Sequence, residues 1–91
     1  MITVTRLAGN DPLLFEVVVD DARGATRHRV TLTLADRERL AGARAPERLI
    51  EAAFRFLIDR EPKESILARF DLSVIARYFP EFERELPRYL A

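Results

Sequence analysis

His28 is the only histidine in the chain. Imidazole is the side chain best suited to general-base work near neutral pH, but it needs a nucleophile or an orienting acid beside it. Asp20 and Asp21 are close in sequence, yet alternation along a strand sends Asp20 to the face opposite His28. His28 therefore reads as a structural residue near the turn end of a strand, facing Val19. The other carboxylates do not gather either. Asp20-Asp21-Ala22-Arg23-Gly24 lacks the ligand spacing of a calcium loop. Glu81, Glu83 and Glu85 alternate within a helical stretch, so they point to different sides. The absence of cysteine removes disulfides, thiolate metal sites and cysteine nucleophiles. Neither a Walker-type, a dinucleotide-binding nor a G-x-S-x-G motif occurs, and three glycines are too few for a phosphate-cradling loop. No catalytic, metal or cofactor-binding residue is assigned, no cofactor is expected, and the chain is not read as an enzyme.

Ser65 to Phe79, S-I-L-A-R-F-D-L-S-V-I-A-R-Y-F, has the outline of a helix-turn-helix, with Ala68 at the packing position and Leu72-Ser73 at the turn. Arg69, Ser73 and Arg77 are the nucleic-acid contacts this reading would use. Two departures weigh against it. Asp71 stands in place of the turn glycine, one residue early, and the would-be reading helix V-I-A-R-Y-F offers only Arg77 to a base or phosphate. Charge points the same way. Residues 1–45 carry seven arginines against six acids, and residues 46–91 carry eight basic residues against nine acids, so neither half has the excess of a phosphate binder. Fourteen of the fifteen basic residues are arginine, which we read as coding bias before phosphate chemistry. Nucleic-acid binding is the alternative reading, not the leading one.

These residues must be positioned by a sheet and a set of helices. Three strands are predicted at about 2–7, 13–20 and 27–34, separated by the turn clusters Gly9-Asn10-Asp11-Pro12 and Asp21-Ala22-Arg23-Gly24. Setting Asp20 opposite Arg27 places Val17 against Val30, Phe15 against Leu32 and Leu13 against Leu34 on one face. The other face then pairs Val18 with Arg29, Glu16 with Thr31 and Leu14 with Thr33. A one-residue slip would destroy this sorting. In the first strand Ile2 and Val4 take the apolar side. Helices are predicted at about 35–41, 46–60, 62–69, 72–79 and 80–87. Thr33 opens the first with capping-box spacing and Gly42 ends it. Pro62 opens the third, Asp71 caps the fourth, and Pro87 closes the last.

Residues 46–60 form the central helix. Leu49, Ala53 and Phe56 line one flank, and Ile50, Phe54, Leu57 and Ile58 continue round from it, leaving Arg48, Glu51, Arg55 and Asp59 as one polar strip. Such a helix needs cover on more than one side. Its strip is expected to pair Glu51 with Arg55 and Arg55 with Asp59. The fold class is thus α+β: a three-stranded antiparallel meander followed by four to five helices, in a single domain over 1–91.

The chain is 91 residues long, with 48% apolar and 33% charged residues. A domain of this size buries only about 60–65% of its unfolded surface, so its stability margin is thin. The opening M-I-T-V-T-R-L is not read as a signal peptide, and no run approaches the ~18 apolar residues of a spanning helix. A cytoplasmic location without membrane contact is expected.

Two features point to a protein partner. Phe70, Tyr78, Phe79, Phe82 and Tyr89 are five of the eight aromatics and all fall in the last 22 residues. The outer sheet face adds Leu7, Leu14 and Val18 beside Arg27 and Arg29, a mixed patch of the kind that marks an interface. Its signs are self-complementary, as a two-fold contact requires, so a homodimer is favoured over a different partner. Residues 56–83, with R-E-P, S-I-L, F-D-L and Y-F-P-E in that order, resemble a segment shared by a group of short bacterial proteins without an assigned function; the resemblance implies no activity and no functional residue. The function expected is a small non-catalytic protein–protein interaction or self-association module.

Overall fold

A computed structural model describes residues 1–91. Strands β1 (Ile2–Ala8), β2 (Leu13–Asp21) and β3 (Gly24–Leu32) come first, followed by helices α1 (Leu34–Ala41) and α2 (Pro46–Ile58). A short strand β4 (Arg69–Asp71) precedes helices α3 (Ile75–Tyr78) and α4 (Phe82–Leu90). The fold is α+β as expected, but the sheet has four strands in the order β1-β2-β3-β4 and is mixed, because β4 runs parallel to β3. No helix is long and apolar enough to cross a membrane.

Alternation sorts the sheet. Leu13, Phe15, Val17 and Val19 of β2 and His28, Val30 and Leu32 of β3 are buried on the inner face, and Ile2 and Val4 join them from β1, opposite Val19 and Val17. The hairpin register differs by two residues from the one the pattern predicted. Phe15 faces Val30, Val17 faces His28, and Val18, not Asp20, faces Arg27. A two-residue shift keeps every side chain on its own face, so apolar sorting cannot distinguish the two registers. The turn decides. Asp21 pairs with Gly24 across only Ala22 and Arg23, and the Arg23 N–H donates to Asp21 Oδ1 at 2.8 Å. Gly24 has φ 128°, a value other residues rarely take. The tighter turn frees Leu34 from the strand, and it becomes the first residue of α1.

Helix α1 starts as its capping spacing required: Thr33 Oγ1 accepts from the Asp36 N–H at 3.1 Å. The Asp36 carboxylate does not return to the cap but meets Arg39 at 3.1 Å. Helix α2 begins at Pro46 and lies between the sheet and α4. Leu49, Ile50, Ala53, Phe54, Phe56 and Leu57 are all buried. On its polar strip Glu51 and Arg55 pair at 3.1 Å, whereas Asp59 leaves Arg55 and accepts from the Tyr89 hydroxyl at 2.6 Å. Ile58, assigned to the apolar side, is 40% exposed.

The helix predicted at 62–69 does not form. Its place is taken by a single 3-10 turn, Lys63–Ser65, and then β4. The cause lies in β3. The Arg29 N–H donates to the Ala68 carbonyl at 2.8 Å, and His28 Nδ1 lies 2.8 Å from the Leu67 carbonyl oxygen. A helix through 66–69 would turn both carbonyls into its own ladder, leaving an edge N–H and a buried imidazole nitrogen without partners. The segment predicted at 72–79 is a 3-10 turn, Leu72–Val74, followed by the four-residue α3. Asp71 caps it, accepting from the Ser73 N–H at 3.1 Å and its hydroxyl at 2.7 Å. The final helix starts later than 80 and runs through Pro87 to Leu90. Leu86 and Leu90 are buried, and Arg48 Nη2 donates to the Leu90 carbonyl at 2.9 Å. This anchorage outweighs the one ladder bond that Pro87 removes.

Most of the C-terminal aromatics are core. Phe79, Phe82 and Tyr89 meet Phe56 edge-on, with centroids at 5.8, 5.0 and 5.8 Å. The Arg60 guanidinium lies 3.6 Å over the Phe56 ring and donates to Glu81 at 3.1 Å. Tyr78 alone points away, 68% exposed.

Candidate functional site

The lone histidine is held on both sides. His28 is buried on β3, tilted against Phe54 with centroids 5.4 Å apart. A carbonyl oxygen can only accept, so Nδ1 carries a proton and donates to Leu67. In the neutral ring Nε2 is then an acceptor, 2.8 Å from the Thr26 hydroxyl that donates to it. No carboxylate orients the imidazole, whose two nitrogens meet only Thr26 and Leu67. The ring fastens β3 to the chain entering β4. Elsewhere, no three His, Cys, Asp or Glu side chains gather as metal ligands would.

The outer sheet face is uncovered by any helix, and β-pairing sets its rows. Thr3, Val18 and Arg27 form one row, and Thr5, Glu16, Arg29 and Arg69 the next. The expected interface residues and one expected nucleic-acid contact therefore meet, since Arg69 on β4 stands directly beside Arg29. Glu16 lies 3.5 Å from Arg27 and 3.7 Å from Arg29. It is the acid between them, in place of the predicted pairing of Arg27 with Asp20. Leu14 and Val18 are half-buried among these neighbours. Leu7 sits at a bulge between Arg6 and Ala8 on the far edge strand, 41% exposed.

The other two expected nucleic-acid contacts are not brought to Arg69 as a reading surface. The helix-turn-helix is absent because its first helix is replaced by a strand. Ser73 is tied to the Asp71 carboxylate, and Arg77 is exposed on α3. Asp71 also accepts from the Thr31 hydroxyl at 2.6 Å. Burial pushes its carboxyl up, but the bonds from Thr31 and Ser73 outweigh this and hold it below the usual carboxylate range.

An apolar groove lies where α2 ends and α3 begins. Leu57, Leu67, Phe70, Val74, Ile75, Tyr78 and Phe79 line a groove of about 190 Å³, with Glu61 and Ser65 as its only polar residues. Local structure explains why it stays open. The strand β4 turns Phe70 inward against Phe54, centroids 6.0 Å apart, and the four residues of α3 are too short to close over it. Leu67 and Tyr78, 47% and 68% exposed, stand at the rim. Glu61 makes neither an ion pair nor a side-chain hydrogen bond, and burial alone pushes its carboxyl above the usual carboxylate range. Beside it, Lys63 is buried and fully engaged, 3.1 Å from Asp21 and 2.8 Å from Glu64, so it does not reach for Glu61.

Sequence reasoning named Tyr78 among the aromatics but missed the groove. Helical spacing puts Leu67 on a helix, and Glu61, just past the end of α2, carries no local signal. The alternation of Arg69, Phe70, Asp71 and Leu72 was the available hint of β4. No protein-family model matches the chain, and neither a curated protein nor a solved structure matches it.

Proposed function

We propose that this chain is a small, non-catalytic protein-interaction module that seats an apolar side chain of its partner in the groove between α2, β4 and α3. The observation that carries the reading is that groove: about 190 Å³, seven apolar lining residues, and a rim of two exposed large side chains. Its chemistry fits binding better than catalysis. One carboxylate and one serine do not make an acid–base pair or an activated nucleophile, whereas an apolar pocket with an exposed tyrosine at its rim suits an anchor residue of a protein partner. A titration with neutral N-acetylphenylalaninamide, followed by methyl and amide NMR, tests it. Shifts confined to Leu57, Leu67, Val74, Ile75 and Tyr78 are the expected result. A spectrum unchanged up to the solubility limit of the probe removes the groove as a contact site.

A second contact, between two copies of the chain, is proposed for the outer sheet face. It is supported by the absence of any covering element there and by the row of Val18 beside Arg27 next to that of Glu16 beside Arg29. A two-fold contact would set Glu16 of one copy against the arginines of the other. Light scattering during size-exclusion chromatography tests it. The reading expects a dimer that Val18→Glu turns into a monomer, and a parent chain that stays monomeric at high micromolar concentration ends it. Nucleic acid keeps only Arg69, beside Arg29, in its favour.

A further inference from the structure

The groove has a size, a charge and a shape, and together they narrow what it can hold. A cavity of ~150 Å³ takes up a single benzene ring, whereas pockets for drug-sized ligands begin near 300 Å³. At about 190 Å³ this groove has room for one ring or one branched aliphatic group. It is open on the side of Leu67 and Tyr78, so the rest of the occupant lies outside on the surface.

The only ionisable group in its lining other than the Tyr78 phenol is Glu61. Every other charged side chain at the end of α2 is already engaged in a hydrogen bond. Arg60 is taken by Glu81 at 3.1 Å, Asp59 by Tyr89 at 2.6 Å, and Lys63 by Asp21 and Glu64. Glu61 has no partner, and it follows the carboxyl end of a 13-residue helix, where the backbone dipole also favours a cation. Partial burial without compensation disfavours its ionised form. A cation arriving with the occupant would relieve that penalty, so the site has a preference by charge as well as by size.

We propose that the occupant of the groove is an aromatic or branched apolar side chain of a protein partner, with a lysine or arginine next to it in the partner's chain whose cation meets Glu61. The inference rests on the reading of the groove as the contact site. It adds the sign of the charge that the partner must bring, which the apolar lining by itself leaves open.

The test uses three capped dipeptides on the full chain: N-acetyl-Phe-Lys-amide, N-acetyl-Phe-Ala-amide and N-acetyl-Phe-Glu-amide, titrated by NMR at low salt. The lysine peptide should bind roughly fivefold more tightly than the alanine peptide, the scale of one partly exposed ion pair. In Glu61→Gln the two should bind alike. Equal affinity of all three for the parent chain overturns the charge preference while leaving the groove as a contact site. Tightest binding of the glutamate peptide also overturns it. Binding of none of the three overturns the groove reading itself. Groove shifts that depend on protein concentration without any peptide, with a dimer in light scattering, overturn the inference in favour of a second copy as the occupant.

Discussion

His28 Nδ1 donates to the Leu67 carbonyl oxygen at 2.8 Å, joining positions 39 apart in sequence. That single bond explains two features at once. It fixes the tautomer, so that the basic nitrogen is Nε2, which the Thr26 hydroxyl already engages, and it helps hold residues 66–68 extended so that β4 can form beside β3. Replacing His28 by alanine leaves the Leu67 carbonyl unpaired and opens space against Phe54. A loss of about 1–3 kcal/mol from the unsatisfied group alone is expected. Urea titration of His28→Ala measures it, and a variant as stable as the parent would remove the fastener role.

Acid should weaken the fold through a few identifiable carboxylates. The Arg23 backbone N–H and then Lys63 hold Asp21 below the usual carboxylate range. Lys63 holds Glu64 down as well, and Thr31 and Ser73 do the same for Asp71 against its burial. A depressed carboxyl contributes stability above its unfolded pKa and loses it as pH falls through the folded value. The stability of the parent should therefore decline below about pH 4, and Asp21→Asn should flatten part of that decline. Glu61 has the opposite sign. Burial raises it, so its ionised form weakens the fold at neutral pH. Glu61→Gln should be no less stable than the parent at pH 7. Urea midpoints across the pH range decide both.

Generic duplex DNA should not bind. The chain has no net charge, the helix-turn-helix is not formed, and Ser73 is bonded to Asp71. Random-sequence duplex at low salt should leave the amide spectrum unchanged. Shifts clustered on Arg27, Arg29 and Arg69 that disappear with added salt would instead make the outer face a phosphate-binding surface.

The parts of this fold governed by local pattern could be read from the sequence. Alternation placed Phe15, Val17 and Val30 on the inner face. Helical spacing placed Phe54 and Leu57 in the core, and Thr33 and Asp71 were identified as caps. The parts settled by distant partners could not be read this way. The hairpin register was the local exception: it turned on the Asp21–Gly24 closure, to which the apolar pattern is blind because a two-residue shift leaves it unchanged. Helical spacing at Ile66, Leu67 and Phe70 misled because the free edge of β3 and the buried imidazole of His28 claimed the carbonyls of Leu67 and Ala68. The groove was hidden for the same reason, since it exists only where β4 and a shortened α3 replace two longer helices. Lys63, the only lysine, showed no sign in sequence of being buried against Asp21 and Glu64.

The central claim is that the groove, and not the outer sheet face, is where this chain meets its protein partner. A quantitative pull-down with three baits tests it most directly: the parent, Tyr78→Asp at the groove rim, and Val18→Glu on the sheet face. Each variant is first checked for an intact fold by its amide spectrum. A protein held by the parent and by Val18→Glu, but reduced at least about tenfold on Tyr78→Asp, is the predicted result, in keeping with the loss of one aromatic anchor. A partner kept by Tyr78→Asp and lost by Val18→Glu would contradict the claim and move the contact to the sheet.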